Sequence, residues 1–459
     1  MLPPESNSRM PTAPLNRPAD ELPARCEVLV VGAGPAGSAA ARALARAGAD
    51  VVLVDQHVFP RDKVCGDGLI PDAHRALARL GVLDEVLALA RRVRHLRCVA
   101  PRGGRVDVPG TLAVLPRREL DELLCRAAVE AGARMHAPLR FVAPLEEDGR
   151  VVGARLQAPR GGAAAAARDA GAARVDAAPG AAQADAASDA APAAMREIRA
   201  EWVVLATGAV PQALIAAGLC ERRTPSAVAL RGYVRNEGMV GRITELEVLW
   251  HQRLKPGYGW IFPCPGGVFN IGVGVAHSHR PGPDGRHTMP DVNLREVFAA
   301  FTEVHPPARA LMDGGTPLGE LKGAPLRCSL EGARFTRPGL LVAGEAAGTT
   351  YALTGEGIGK ALETGLLAAE AVLAGRRERL GDAAVRTRYE AALEGLRPRF
   401  AIYDKANSVN ERPWLVDLLV WSARRSRRRL ERMSGVLEET HSPGNLITAR
   451  SFLRMVFER

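Results

Sequence analysis

The chain has 459 residues and a formal net charge of +10, from 61 Lys and Arg against 51 Asp and Glu. At roughly 100–200 residues per domain that length predicts two or three domains, and 47% hydrophobic with 24% charged residues excludes a disordered or fibrous chain. The basic excess comes without a nucleic-acid-binding motif, so no nucleic acid is expected as a partner, and anionic cofactors, substrates or membrane surfaces are left to balance it.

Seven cysteines, at positions 26, 65, 98, 125, 220, 264 and 328, form no CxxC pair. Neither a metal site nor a disulfide framework follows, and a reducing cytosol is the expected compartment. The polar, Pro-rich N-terminus lacks the apolar stretch of a signal peptide. No segment reaches about 18 uninterrupted apolar residues, so no transmembrane helix is expected.

Residues 1–24 read as unstructured. A buried strand follows at Cys26–Val31, then an Ala-rich helix at Pro35–Ala47 and a second buried strand at Asp50–Val54, which together make a βαβ opening. Residues 72–92 and 118–132 have helical periodicity, and His95–Ala100 reads as a strand. Residues 158–195 are low in complexity, rich in Ala, Gly, Pro and Asp, and too poor in large apolar side chains to form a core. They read as an overgrown loop between strands at Val151–Leu156 and Glu197–Leu205. Residues 226–330 alternate short strands with Gly/Pro turns, 338–375 return to strand, Gly-rich turn and helix, and the remainder is helical. The expected division is a nucleotide-binding part at 25–220 and 331–375, a β-rich part at 221–330 and a helical region at 376–459.

Gly32-Ala33-Gly34-Pro35-Ala36-Gly37 stands between the first strand and helix. Gly32 permits the tight turn, Gly34 lets backbone approach a pyrophosphate, and Gly37 lets helix and sheet pack closely, with the helix N-terminus facing the phosphates. Asp55, 18 residues after Gly37 at the end of the second strand, is placed for an adenosine ribose hydroxyl. A second Gly-rich turn, Gly339–Gly348 with Gly344 and Glu345, leads into Thr354-Gly355-Glu356-Gly357-Ile358-Gly359 and another helix. Two such turns far apart in one chain point to FAD rather than a simple nicotinamide dinucleotide.

Four blocks carry a family resemblance. They are the GxGxxG with its acid; Phe59 to Gly68, which holds Arg61, Lys63, Cys65 and Gly66; Tyr258-Gly259-Trp260-Ile261-Phe262-Pro263 followed by Gly272-Val273-Gly274; and the GEAAG and TGEGIG segments. From about 25 to 455 the chain resembles the geranylgeranyl reductase family, within the flavoproteins of the para-hydroxybenzoate hydroxylase fold. The resemblance implies an α/β fold: a Rossmann-type FAD-binding domain with an inserted β-rich substrate domain and a C-terminal helical region. Arg117, at the start of a segment like the fold's Arg-x-x-Phe-Asp, is implied to lie near the cofactor; a surface arginine is the other reading. Two positions depart from the family: Glu345 stands where it has Asp, and Tyr351-Ala352-Leu353 where it has an Asn-Pro pair.

The implied reaction is saturation of C=C bonds in a polyprenyl or other isoprenoid lipid, with FAD reduced by NAD(P)H or another donor. One face of the strand carrying Tyr258, Trp260 and Phe262 is expected to line an apolar substrate tunnel, with Tyr258, Trp260 and Cys65 as the catalytic candidates; filling a core is the alternative for each. Arg61 and Lys63 beside Cys65 are expected to favour its thiolate. The run from Arg424 to Arg429 reads first as a solvated helix face, and the alternative is that it and Trp414–Ser422 touch an anionic membrane from the cytoplasmic side. The rival functions are an FAD monooxygenase or halogenase acting on a small aromatic or carrier-bound substrate, and a flavoprotein-like binding protein without turnover.

Overall fold

The computed structural model describes residues 14–158, 194–276 and 292–441, with the short pairs 280–281 and 287–288. In chain order, β1 (Arg25–Val31), α1 (Pro35–Arg46) and β2 (Val51–Val54) form the opening unit. Next come β3 (Gly68–Leu69), α2 (Pro71–Leu80), α3 (Leu83–Leu89), the hairpin β4 (Arg91–Val99) and β5 (Arg105–Val114), α4 (Arg117–Glu130) and β6 (Arg134–His136). The hairpin β7 (Arg140–Glu147) and β8 (Arg150–Gln157) leads to β9 (Met195–Leu205) and α5 (Gln212–Ala216). Then follow β10 (Ala227–Arg235), β11 (Leu246–Leu249), β12 (Gly257–Pro263), β13 (Val268–Ala276), α6 (Leu294–Val304) and α7 (Pro306–Asp313). Strands β14 (Thr316–Pro317), β15 (Lys322–Leu326), β16 (Thr336–Arg337) and β17 (Leu340–Val342) precede five helices: α8 (Ile358–Glu378), α9 (Asp382–Ala406), α10 (Ser408–Glu411), α11 (Trp414–Ala423) and α12 (Arg427–Leu437).

The first sheet runs β16-β17-β9-β1-β2-β6, with β8 joining β7 to β9. Its centre is parallel: β1 pairs with β2 on one side and β9 on the other. Strands buried on both faces read as continuous apolar runs, and β2 (VVLV) is buried throughout. Val28 and Val30 point into a core shared with α1, α4, α8 and α9, while Leu29 and Val31 enter the opposite core with β8 and α5. Small residues let α1 and α8 touch: a Cβ at Gly365 would stand 2.1 Å from the carbonyl oxygen of Ala36.

The second sheet runs β14-β10-β13-β12-β11-β4-β5-β3, with β15 beside β14 on the same edge of β10. Three of its strands, β3, β4 and β5, come from residues 68–114, which the sequence alone assigned to the nucleotide-binding part. That region is predicted as sheet between 226 and 330, yet α6 and α7 cap one face there through Phe298, Phe301, Ala308 and Leu311. The other face is covered by α11 and α12 through Leu415, Val416, Val420 and Leu437.

Residues 14–24 correct the expectation of an unstructured N-terminus. Arg17 N donates to Met135 O at 2.9 Å, and the Asn16 side chain exchanges two hydrogen bonds with the Phe59 backbone at 2.7 and 3.0 Å. Backbone pairing and one amide fix this segment, and composition does not reveal either. Residues 1–13 and most of the low-complexity stretch, 159–193, lie outside the described residues. The ends of that stretch behave as expected, since β8 and β9 pair antiparallel with Gln157 opposite Met195.

The turn after β1 depends on close approach. Gly32 has φ 99°, and a Cβ at Gly37 would stand 1.8 Å from the carbonyl oxygen of Gly32. Gly37→Ala should therefore push α1 off the sheet, lower stability by about 1–3 kcal/mol and yield protein that purifies without yellow colour; thermal melting and the visible spectrum read both effects.

Candidate functional site

The two sheets meet around one cavity of about 780 Å³. One end is the turn after β1. Asp55 closes it: its carboxylate accepts hydrogen bonds from Ala33 N at 2.8 Å and His57 N at 2.9 Å. Burial lowers the His57 imidazole below its usual range, against the pull of Asp55, so this ring is neutral at neutral pH.

Above Gly34 stand two arginines, and a Cβ there would meet only Arg61 and Arg117 nitrogens, each at 3.8 Å. Both side chains lean on the fully buried Asp121. Arg117 makes a bidentate pair with it, one turn along α4, at 2.7 and 2.8 Å. Arg61 Nη1 approaches the same carboxylate at 2.9 Å without hydrogen-bond alignment, which leaves that buried nitrogen short of an acceptor. Burial opposes the Arg117 charge, but Asp121 and the Cys65 sulfur raise its pKa above the usual arginine range. Two cations and a glycine backbone over a helix N-terminus form an anion cradle of pyrophosphate size. The buried Thr207 hydroxyl, also on the wall, has no partner among the described residues. FAD fits this site: Gly32, Gly34, Pro35, Ala36, Arg61 and Arg117 would hold the pyrophosphate end, and Asp55 the ribose.

The other end of the cavity is aromatic. Along β12, Tyr258, Trp260 and Phe262 share one face and line the wall, while Ile261 turns into the opposite core. Their ring centroids are spaced 6.3 and 6.4 Å, and Trp250 continues the strip 5.9 Å from Tyr258. The neighbouring strand makes room for them, because a Cβ at Gly272 would lie 2.3 Å from the Trp260 ring. Trp260 Nε1 donates to Asn270 Oδ1 at 2.9 Å, and Asn270 Nδ2 bonds Cys65 O and Asp67 Oδ2, each at 2.7 Å. The Tyr258 hydroxyl donates to Thr354 O, tying the strip to the 354–359 turn.

Lys63, Cys65, Gly66, Glu345, Gly355, Gly357 and Ile358 also line the cavity. Gly37, Gly344 and Gly359 do not: each allows close packing behind the wall, Gly344 against Ala36 and Gly359 against the Asp72 carboxylate. The Cys65 expectation is corrected. Burial outweighs the Arg117 charge and raises the thiol pKa, so Cys65 stays protonated at neutral pH. Lys63 is shifted down by burial, with Glu345 opposing. Glu345 is accommodated within its turn, where Thr350 Oγ1 donates to Oε1 at 3.3 Å. Tyr351, in place of the family's Asn-Pro pair, is fully buried and stacks on Tyr403 at 3.9 Å.

Several groups escaped prediction. Burial and then the nearby Asp72 charge push the Glu356 carboxyl, on the cavity wall, up to about 8. Asp72 itself is pushed up to about 6 by burial, against Lys360 at 3.5 Å. Asp67 is fully buried, raised by burial to about 6, and accepts from Tyr233 and Asn270. Trp250 and Asn270 gave no sequence signal; Glu356 stood within a recognised block as an acid among glycines. Among the described residues no cluster of His, Cys, Asp and Glu is arranged to hold a metal.

The FAD binding domain family matches residues 25–168, and with the cradle above it defines the chain as an FAD-dependent oxidoreductase. The menaquinone reductase of Mycolicibacterium smegmatis is 34% identical over 370 residues, covering 76% of this chain and 77% of that one. Digeranylgeranylglycerophospholipid reductase 1 of Methanopyrus kandleri is 27% identical over 376 residues, covering 79% and 84%. A geranylgeranyl bacteriochlorophyll reductase-like structure from Thermoplasma acidophilum shares the fold, with TM-score 0.68, 20% identity and coverage of 95% and 96%. The chain belongs to the geranylgeranyl reductase family.

Arg61→Met should weaken FAD binding about tenfold or more, the loss of one charge-assisted contact. A titration of apoprotein with FAD followed by flavin fluorescence measures it; unchanged affinity would put the phosphates elsewhere.

Proposed function

We propose that this protein saturates C=C bonds in the isoprenoid chain of a lipid, with FAD reduced by NAD(P)H or another donor. One observation carries the reading: the candidate flavin cradle and an apolar, aromatic-walled space belong to the same cavity. Its walls include Leu96, Leu112, Leu246, Val248 and Leu437, and they offer an alkyl chain burial with few polar groups to satisfy. The names of the similar proteins, a menaquinone reductase and a digeranylgeranylglycerophospholipid reductase, support a lipid of this class.

Bound FAD supplies hydride. The chain's own residues orient, exclude water and hold the proton. Tyr258, Trp260 and Phe262 form a strip of rings tilted 57° and 40° to one another, and a trisubstituted alkene can lie against the rings. The C-terminal helices close the space over β4, β5 and β11. The alkene's second carbon needs a proton, and Glu356 holds one at neutral pH because its pKa stands near 8. That value lies closer to the working pH than the raised pKa of Cys65, so Glu356 is the better matched acid. Cys65 then serves as a neutral wall beside Arg117.

Holoprotein incubated anaerobically with NADPH or NADH and either menaquinone or a geranylgeranyl lipid should give products heavier by two hydrogens per reduced bond, read by mass spectrometry. Oxygen consumption that depends on a small aromatic substrate, with no saturated lipid, would support the monooxygenase reading instead.

Glu356→Gln should leave the flavin spectrum and its reduction intact while slowing lipid saturation about 100-fold or more. In the wild type the rate should fall as pH rises through about 8, where the raised carboxyl loses its proton. A pH profile unchanged by the substitution would remove Glu356 from the proton's path.

A further inference from the structure

Helix α11 is apolar on two sides. Leu415, Val416, Val420 and Ala423 are buried against the second sheet. On the outside, Trp414 and Trp421 are 49% and 47% exposed. Seven residues apart, they share one helical face, with half-buried Leu418 between them. Exposed tryptophans in a row on one helix are a costly surface unless something covers them.

The charge around them is of one sign. Arg412 precedes the helix, and Arg424, Arg425, Arg427 and Arg428 follow it, all exposed. The Arg425 guanidinium stacks 4.4 Å over the Trp421 ring. Arg427 pairs with Glu431, but no described acid pairs with Arg424, Arg425 or Arg428. Arg102, in the β4–β5 turn, lies beside α11, where its backbone N–H donates to Asp417 at 3.1 Å; Asp417, the one acid on this helix, is thereby engaged.

Indole rings flanked by guanidinium groups match the interfacial zone of an anionic bilayer, where rings sit among the head groups and arginines meet phosphates. Leu437, at the end of the neighbouring α12, lines the wall of the apolar cavity.

We propose that the outer face of α11 and the start of α12 dock on an anionic lipid bilayer, Trp414 and Trp421 entering the interface and Arg424, Arg425 and Arg428 engaging lipid phosphates. This docking goes beyond the redox reaction and holds for any lipid substrate. Among the described residues no helix is long and apolar enough to cross a membrane.

The test uses the full-length holoprotein and vesicles of phosphatidylcholine with or without phosphatidylglycerol. Binding should require phosphatidylglycerol, weaken in high salt, and shift tryptophan emission to the blue. Trp414→Ala with Trp421→Ala should cut vesicle partitioning about tenfold, and Arg424→Glu, Arg425→Glu and Arg428→Glu together about 100-fold or more. Flavin content and turnover of detergent-dispersed lipid should stay unchanged in both variants, which separates a failure of docking from a failure of the assigned reaction. Three results would overturn the proposal: no binding by the wild type, equal binding to neutral vesicles, or variants that bind like the wild type. Conversion of a dimer to a monomer by the tryptophan pair, without loss of vesicle binding, would also overturn it and make this face a contact between copies of the chain.

Discussion

Asp121 is a carboxylate with no exposed surface, and two guanidinium groups lean on it. Arg61 and Arg117 could not otherwise be held charged in the protein interior, because desolvation of each would cost several kcal/mol. With Asp121 present they stand over Gly34 as a cradle of net positive charge, and the rest of the site is arranged around it. The bidentate pair fixes the start of α4, and Arg117 N in turn bonds Asp67, which reaches Tyr233 and Asn270 of the second sheet. Loss of the Asp121 charge would strand two buried cations.

From that junction the two halves of the cavity diverge in character. The pyrophosphate end is built of backbone, glycine and charge. The alkyl end is built of rings, and each ring has its place because a facing residue lacks a side chain. Trp260 lies across Gly272, Phe262 across Gly66 and Gly68, and Tyr258 reaches over Gly355. The 354–359 turn and the aromatic strip are thereby held in one register. Trp250 extends the strip and bonds Asn410 at 2.8 Å, and Asn410 also bonds Leu353 O at 3.1 Å. The C-terminal helices are thus tied both to the aromatic wall and to the flavin turn.

Much of this was legible in the sequence where the signal is local. Apolar runs, a glycine turn and an acid at the right distance gave β1, α1, β2 and Asp55; the aromatic alternation in β12 gave the wall that Tyr258, Trp260 and Phe262 form. Cys65 shows what local reading misses. The flanking cations are visible in the sequence, but the burial that outweighs them is a property of the folded cavity. Asn270 and Trp250 join the site through strand pairing and helix contacts more than a hundred residues away, which no spacing rule reports. Residues 68–114 escaped assignment to the second sheet for the same reason, since β4 finds its parallel partner in β11, far along the chain. The arginine run and its neighbouring tryptophans were legible as composition, but only the fold shows that Trp414 and Trp421 face outward.

The most direct test of the account is an anaerobic single turnover. Holoprotein reduced chemically and freed of excess reductant would be mixed with a polyprenyl lipid, and the flavin bands would be followed while the lipid is sampled. The account predicts that the yellow bands return in step with the appearance of saturated lipid, without oxygen. Bands that stay bleached until air is admitted, with the lipid unchanged, would contradict it.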